Sequence, residues 1–186
     1  LASLRTKMKQ ISQTAKAFLE ELSALQSDTE IENDQRFFRD GYSGNKLMGI
    51  RMANLFVLAK KFIGIPIGEI EVLLENEYYE ARMGAVCIMD FQARDKKTTP
   101  ERKKELFDVY IAKHNFINNW DMVDRSAPYV VGGYLFDKPR EILYSLAKSD
   151  NVWERRTAIV ATYYFIRQND VEDTFKIAEI LVNDEH

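Results

Sequence analysis

Cysteine and histidine are scarce in this chain of 186 residues, which has one Cys and two His. No Cys/His cluster has the spacing of a zinc site. The single thiol, Cys87, lies in an apolar helical stretch with no histidine near it in sequence, which favours a buried hydrophobe over a catalytic nucleophile. A lone cysteine and the lack of a signal-peptide core predict a cytoplasmic protein. Because the first residue is not methionine, we also expect processing or trimming of the natural N-terminus.

Long apolar runs and strand-like alternation are also missing. No run reaches the ~18 apolar residues of a membrane span, and there is no phosphate-binding loop or dinucleotide fingerprint. Hydrophobic residues make up 46% of the chain, which is ample for a buried core. The apolar period of about 3.6 residues predicts one all-α domain over residues 1–186. The predicted helices are 2–26, 29–39, 52–63, 67–75, 78–94, 99–114, 119–135, 138–148, 151–168 and 171–183, with a glycine-rich loop over 40–48.

A weak internal repeat suggests how these helices are arranged. Residues 73–82 resemble residues 146–156, and the aligned positions include Arg82 and Arg156 at a spacing of 74. Helical pairs that recur every ~35–45 residues are typical of an α-solenoid of HEAT-like repeats. Helices 78–94, 119–135 and 151–168 would then share one concave face. We expect that face to carry Arg82, Trp120, Asp124, Arg155 and Arg156.

The same period predicts a further inner helix from about residue 187, whereas the sequence ends at His186. Helix 171–183 has an apolar row with no successor to cover it. We therefore expect that C-terminal repeats of the natural protein are missing here, or that another molecule covers the row. The row consists of Phe175, Ala178, Ile180, Leu181 and Val182.

Charge is unevenly distributed, although the formal net charge is only −3. Residues 170–186 carry six acids and one lysine, while the rest of the chain carries 25 basic and 23 acidic side chains. These counts permit a nucleic-acid-binding face without requiring one.

The most informative local pattern is an indole and a carboxylate four residues apart. Trp120 and Asp124 fall on one face of a predicted helix. Pro128 lacks the backbone N–H that the Asp124 carbonyl would normally accept, so the helix should bend or open there. An aromatic face beside a carboxylate suits a flat, positively charged ligand. The alternatives are a core tryptophan and an ion pair between Asp124 and a neighbouring helix.

Five short sequence motifs resemble those of the AlkD-like family of DNA alkylation-repair proteins, which are HEAT-like alkylpurine DNA glycosylases. The two longest are the most specific, and all five occur in family order over about residues 36–186. They read FFRDG (37–41), MGIR (48–51), LAK (58–60), INNWDMVDRSAP (117–128) and SDNVWERRTA (149–158). A further tryptophan that the family carries in its following repeat has no counterpart here.

The resemblance implies a site and a chemistry. Trp120 and Asp124 would contact the damaged nucleotide, Arg156 would hold the DNA backbone near the lesion, and Arg51 would lie close to the bound strand. Arg155 is a further candidate DNA contact, with an inter-repeat ion pair as the equal alternative. The implied reaction is hydrolysis of the N-glycosidic bond of a cationic alkylated purine in duplex DNA, without a lyase step.

This reaction needs neither a metal nor an organic cofactor, and a monomer without membrane attachment is the simplest expectation. The main alternative is a non-catalytic HEAT-repeat module that binds DNA or a protein through the same face. Release of free alkylated base would distinguish the two.

Overall fold

The computed structural model describes residues 12–37 and 45–186. Within these ranges the regular secondary structure is helical, with no strand and one isolated parallel bridge between Lys46 and Tyr78. The predicted all-α class is therefore confirmed for the described residues. None of their helices has the length and apolar character that crossing a membrane requires.

The helices are α1 Ala15–Ser23, α2 Asp28–Phe37, α3 Met52–Lys61, α4 Ile67–Leu74, α5 Tyr79–Arg94, α6 Pro100–Ala112, α7 Trp120–Ser126, α8 Gly133–Leu135, α9 Glu141–Leu146, α10 Val152–Ala161, α11 Tyr163–Ile166 and α12 Glu172–Leu181. A 3₁₀ turn at His114–Phe116 follows α6, and a π-helix at Ala127–Gly132 links α7 to α8. Most predicted segments lie within three residues of these bounds. The Thr99 side chain accepts the Arg102 N–H and caps α6 ahead of Pro100, close to the predicted start at residue 99.

Three predicted helices are wrong in extent. The helix predicted over 2–26 begins only at Ala15, because the Thr14 side chain accepts the Ala17 N–H and caps it there; residues 1–11 lie outside the described part. The helix predicted over 151–168 is divided at Thr162 into α10 and α11. The helix predicted over 119–135 is divided into α7, the π-helix and α8.

The π-helix lies where the proline pattern predicted an opening. Pro128 cannot donate to the Asp124 carbonyl, and the Gly133 N–H donates to the Pro128 carbonyl five residues back. The predicted opening is confirmed, although the wide turn lies downstream of Asp124. Asp124 itself stays in the regular helix α7.

The non-helical segment before α3 is held by a buried carboxylate. Glu80 accepts the N–H groups of Met48 and Gly49 at 2.8–3.0 Å. Gly49 has φ +70°, and a Cβ there would lie 2.2 Å from the Ser27 carbonyl oxygen, so only glycine fits. The predicted loop is confirmed over residues 45–48, while residues 40–44 lie outside the described part.

Helix α5 is the centre of the packing, since α3, α4, α6, α7 and the π-helix all contact it. Helices α5, α7 and α10 follow one another side by side, with α7 between the other two. Helices α4, α6, α9 and α12 pack behind them, each against a member of this row or the π-helix. The N-terminal turns of α5 and α7 lie next to each other, since the Tyr79 hydroxyl donates to Asp121, and α7 meets α10 where Arg156 donates to Asp124.

The apolar row predicted on α12 is largely exposed. Phe175 is 66% exposed and Val182 74%, whereas Ile177 on the opposite side is buried against the core.

Candidate functional site

A cleft of about 400 Å³ opens where α3, α5 and α7 meet. Its walls are mostly aromatic and aliphatic, with carboxylates and one guanidinium among them. This combination of an apolar body and a few polar groups is typical of a ligand site. The lining residues are Ile50, Met52, Phe56, Tyr79, Glu80, Met83, Trp120, Asp121, Asp124 and Arg125.

Trp120 is the first residue of α7 and is 40% exposed at the cleft. The preceding Asn119 is extended, so the helix cannot begin earlier, and the indole emerges from its first turn. Trp120 and Asp124 both line the cleft, as their spacing predicted. The core alternative for Trp120 is therefore wrong.

Asp121 ties this first turn to α5. Its carboxylate accepts the Tyr79 hydroxyl from α5, the Asn119 side-chain amide at 2.9 Å and the Met122 N–H at 2.8 Å. Burial raises the pKa of Asp121, while these hydrogen bonds lower it in part. The helix predicted from residue 119 already places Asp121 in a first turn. Its partner Tyr79 was not predicted, because the two residues are 42 positions apart.

Asp124 and Arg156 form a two-point ion pair between α7 and α10. Arg156 Nε donates to Asp124 Oδ1 and Nη2 donates to Oδ2, both at 2.8 Å. Both side chains are about one-third exposed, so water screens the pair in part. The hydrogen bond to Asp124 is the main cause that raises the pKa of Arg156. The expected inter-helix ion pair of Asp124 thus exists, and its partner is one of the predicted DNA contacts.

Arg155 contacts a residue near the C-terminus and the turn that precedes α10. It pairs with Asp184 and donates to the carbonyl oxygens of Ser149 and Asp150, each at 3.0 Å. These bonds hold the turn before α10. They match the inter-repeat ion pair that was the alternative for this residue.

The hydrogen bonds correct the repeat register. Arg82 donates to the carbonyls of Asn76 and Glu77, six and five residues before it, as Arg155 does with Ser149 and Asp150. Arg82 is therefore the equivalent of Arg155 at a spacing of 73. The predicted pairing of Arg82 with Arg156 is wrong, because one residue on a helix turns a side chain by about 100°.

In the corrected register, Met83 on α5, Asp124 on α7 and Arg156 on α10 are equivalent. Each is the fifth residue of its helix. Met83 and Asp124 both line the cleft, and Arg156 continues their row beyond the lining through its ion pair with Asp124. Arg82 is only 4% exposed, and its guanidinium binds the preceding turn, so its predicted place on the inner surface is wrong.

Arg51 lies at the edge of the cleft, between the lining residues Ile50 and Met52. Its side chain is 72% exposed and its Nε donates to Glu30 at 2.8 Å. Arg51 therefore lies near the cleft but is not one of its lining residues.

Arg125 is a cleft residue that sequence reasoning missed. Its guanidinium lies 4.9 Å from the Phe56 ring and 4.8 Å from the Phe91 ring, and it pairs with the fully buried Asp90 at 3.1 Å. A cation between two rings is rigid. The one available signal was its position next to Asp124.

Two other candidate nucleophiles or bases, Cys87 and His114, lie outside the cleft lining. Cys87 is fully buried as predicted, and burial raises the pKa of its thiol to about 12. His114 is buried against Thr157, with Nε2 and Oγ1 2.8 Å apart, and burial lowers the pKa of its imidazole. No lysine lines the described cleft. Within residues 12–37 and 45–186, no group of three His, Cys, Asp or Glu side chains could hold a metal ion.

Comparison with known families now adds to this geometry. The model of the DNA alkylation repair enzyme family matches residues 18–186, and the chain belongs to this family. It is thus an enzyme of DNA repair whose substrate is DNA. A search of curated proteins finds no match at the significance required.

Proposed function

We propose that this protein hydrolyses the N-glycosidic bond of cationic alkylated purines, of the 3-methyladenine and 7-methylguanine type, in duplex DNA. The observation that carries the proposal is the position of Trp120 and Asp124 in one apolar cleft, with Arg156 fixed on the Asp124 carboxylate. The family match supplies the DNA substrate and the repair context.

The chemistry suits the lining. A purine alkylated at N3 or N7 carries a positive charge and departs readily, so the main demand is to stabilise the positive charge that develops on the sugar. The indole face of Trp120 attracts a cation by ~0.5–2 kcal/mol. The Asp124 carboxylate stabilises the sugar cation and orients the attacking water. The C1′–N bond breaks, a C1′–O bond forms, and the water proton passes to the carboxylate.

The geometry of the ion pair leaves Arg156 able to bind a phosphate while it stays bound to Asp124. The carboxylate occupies Nε and one side of Nη2. A guanidinium carries five N–H donors, so the Nη1 edge remains for an oxygen of the DNA backbone. Asp124 therefore orients the cation that anchors the phosphate beside the reacting sugar.

The larger architecture fits the same proposal. The contacts of α5, α7 and α10 with one another in order and with α4, α6, α9 and α12 support an α-solenoid of HEAT-like pairs as the arrangement. The inner helices would present the row of Met83, Asp124 and Arg156 to the duplex. The monomeric state and the cytoplasmic location stay predictions.

The direct test is an assay of base release. Purified protein is incubated with duplex DNA that contains N3-methyladenine or N7-methylguanine, and the free base is quantified by chromatography. We expect release of the free base and an abasic site in an intact strand. Binding of the damaged duplex without release would instead favour the non-catalytic DNA-binding module.

Arg156 gives a more specific prediction. Arg156→Gln removes the charged hydrogen bonds to phosphate, so we expect binding of the damaged duplex to weaken by about 10- to 100-fold, equivalent to about 1.5–3 kcal/mol. Arg156→Lys keeps the charge but loses the two-point geometry and should recover only part of the affinity. Lys148→Gln, at an exposed lysine outside the cleft lining, is the control. Wild-type affinity of Arg156→Gln would contradict the phosphate role.

A further inference from the structure

Helix α7 carries Trp120 and Asp124, yet its own sequence does little to stabilise it. It has seven residues, and helices shorter than about 12–15 residues are marginal without tertiary contacts. At its start, the Asn119 side chain donates to the Asp121 carboxylate instead of accepting a backbone N–H of the first turn. At its end, the π-helix begins at Ala127. The position of α7 therefore depends on contacts with neighbouring helices.

Two carboxylates of α7 supply such contacts, one toward each neighbouring inner helix. Asp121 accepts the Tyr79 hydroxyl from α5, and Asp124 accepts the Arg156 guanidinium from α10. The pair of Asp124 and Arg156 is about one-third exposed, whereas Tyr79 is only 3% exposed. The bond between Tyr79 and Asp121 is therefore better shielded from water, and a hydrogen bond to a charged group is stronger in such surroundings.

The contact between Tyr79 and Asp121 acts on the first turn of α7. Arg125 also joins α7 to α5, through Asp90 at 3.1 Å, but it lies one helical turn after Asp121. Trp120 is next to Asp121 in the chain and its indole is 40% exposed at the cleft. The place of the indole therefore follows the backbone of the turn that Tyr79 holds.

The hydrogen bonds of Asp121 suit a group that holds its neighbours. Its Oδ2 accepts the Tyr79 hydroxyl, while its Oδ1 accepts the Asn119 amide at 2.9 Å and the Met122 N–H at 2.8 Å. Tyr79 and Asp121 both line the cleft that also contains Trp120. Both carboxylate oxygens of Asp121 are thus engaged by the protein itself, directly beside the site.

Helix α5 has a carboxylate at the same position. Glu80 is the second residue of α5, as Asp121 is of α7. It accepts the N–H groups of Met48 and Gly49 at 2.8–3.0 Å, which lie in the segment before α3. In both helices, a carboxylate in the first turn fastens the start of an inner helix to an earlier part of the chain.

We propose that Tyr79 and Asp121 are positioning residues for the reaction. Their hydrogen bond holds the first turn of α7, so that the Trp120 indole and the Asp124 carboxylate keep their places against one nucleotide. The inference rests on the proposed function, because it assumes that the reaction takes place between those two groups. Rates depend steeply on such placement, since a displacement of about 1 Å can cost roughly 100-fold.

The test removes a single hydroxyl. Tyr79→Phe keeps the buried ring, and we expect it to slow single-turnover release of N7-methylguanine from duplex DNA by about 5- to 20-fold at saturating protein. Affinity for the damaged duplex should change by less than about twofold, because contacts with the phosphate backbone dominate it. Loss of folded protein would instead reduce the amount of base released and leave the rate constant unchanged.

A matched control removes the same group elsewhere. The Tyr144 hydroxyl also donates to a carboxylate, that of Asp173, and it joins α9 to α12 outside the cleft lining. Tyr144→Phe should therefore release base at the wild-type rate. Equal slowing in Tyr79→Phe and Tyr144→Phe would overturn the inference, because any lost hydroxyl would then have the same effect.

A double-mutant cycle tests whether the two residues act through one bond. Asp121→Asn should also slow base release, since an amide cannot accept donors on both of its sides. The double variant Tyr79→Phe/Asp121→Asn should be about as slow as the slower single variant. If the two losses multiply instead, Tyr79 and Asp121 act independently and the inference is wrong.

Tryptophan fluorescence gives a readout that does not depend on activity. The sequence contains two tryptophans, so Trp153→Phe leaves Trp120 as the only fluorescent indole. In this background, Tyr79→Phe should increase quenching by acrylamide, because a looser first turn exposes the indole more often. Tyr144→Phe should leave quenching unchanged. Unchanged quenching in Tyr79→Phe would overturn the inference whether or not the protein releases base.

The proposed reaction and the positioning role can fail separately. Base release by wild type, with an equal rate in Tyr79→Phe, overturns the positioning role alone. If wild type releases no base, the proposed reaction is wrong. Increased quenching in Tyr79→Phe would then still support the hydrogen bond as the contact that fixes the indole at the cleft.

Discussion

Asp124→Asn is expected to slow release of the alkylated base by about 100- to 1,000-fold, the usual cost of removing a group that stabilises transition-state charge. Asparagine has nearly the same shape but carries no charge, so it neither stabilises the sugar cation nor accepts a proton from the attacking water. Single-turnover release of N7-methylguanine from duplex DNA measures this loss without interference from product release.

Folding and DNA binding should be affected far less. The ion pair with Arg156 is partly exposed, and such pairs contribute about 0–1 kcal/mol. Loss of an acid near DNA should leave affinity for undamaged duplex unchanged or raised. Glu154→Gln removes a carboxylate from α10 outside the cleft lining and should behave as wild type. Base release by Asp124→Asn at the wild-type rate would contradict the catalytic role of Asp124.

Gly132→Ala is expected to destabilise the fold by about 1–3 kcal/mol, as overpacking of a core does. Gly132 has ordinary helical φ and ψ angles, so its backbone needs no glycine. The constraint is contact: a Cβ there would lie 2.0 Å from the carbonyl oxygen of Ala161, at the end of α10. Because that neighbour is backbone, α10 would have to move away from the π-helix.

Thermal unfolding measures the effect, and a chain of this size loses ~2–4 °C per kcal/mol. Gly133→Ala is the matched control, because its Cβ would meet only the flexible Tyr164 ring at 3.3 Å. It should be neutral or slightly stabilising through better helix propensity. Base release should also fall in Gly132→Ala, since α10 carries Arg156. Equal melting temperatures for both variants would show that α10 accommodates the methyl group.

Much of the fold follows from local patterns. The helical period, the Thr99-Pro100 start of α6 and the glycine-rich stretch were sufficient for most element bounds. The π-helix also follows locally, because Pro128 lacks an N–H wherever the chain lies. The break at Thr162 was missed, since the apolar period continues across it.

The residues of the candidate site were predictable from the sequence, whereas the hydrogen bonds and ion pairs that join their helices were not. Trp120, Asp124 and Arg156 could be predicted as site residues from their spacing and from motifs that resemble the family. The Tyr79–Asp121 hydrogen bond and the Asp90–Arg125 pair could not, because they join helices that are distant in sequence. The register of the repeat was off by one residue, since similarity over a short stretch does not distinguish Arg155 from its neighbour Arg156.

The sequence by itself determined that this protein is helical, where the helix that begins at Trp120 opens, and which indole and carboxylate share a helix face. These features depend on backbone hydrogen bonding and on a period of 3.6 residues, which act within a few positions of the chain. Only the tertiary structure decided that Asp124 holds Arg156, that Arg155 closes its own turn, and that Arg125 lies between two rings at the cleft. Those outcomes depend on which helices lie side by side, and the packing of the whole core sets that arrangement.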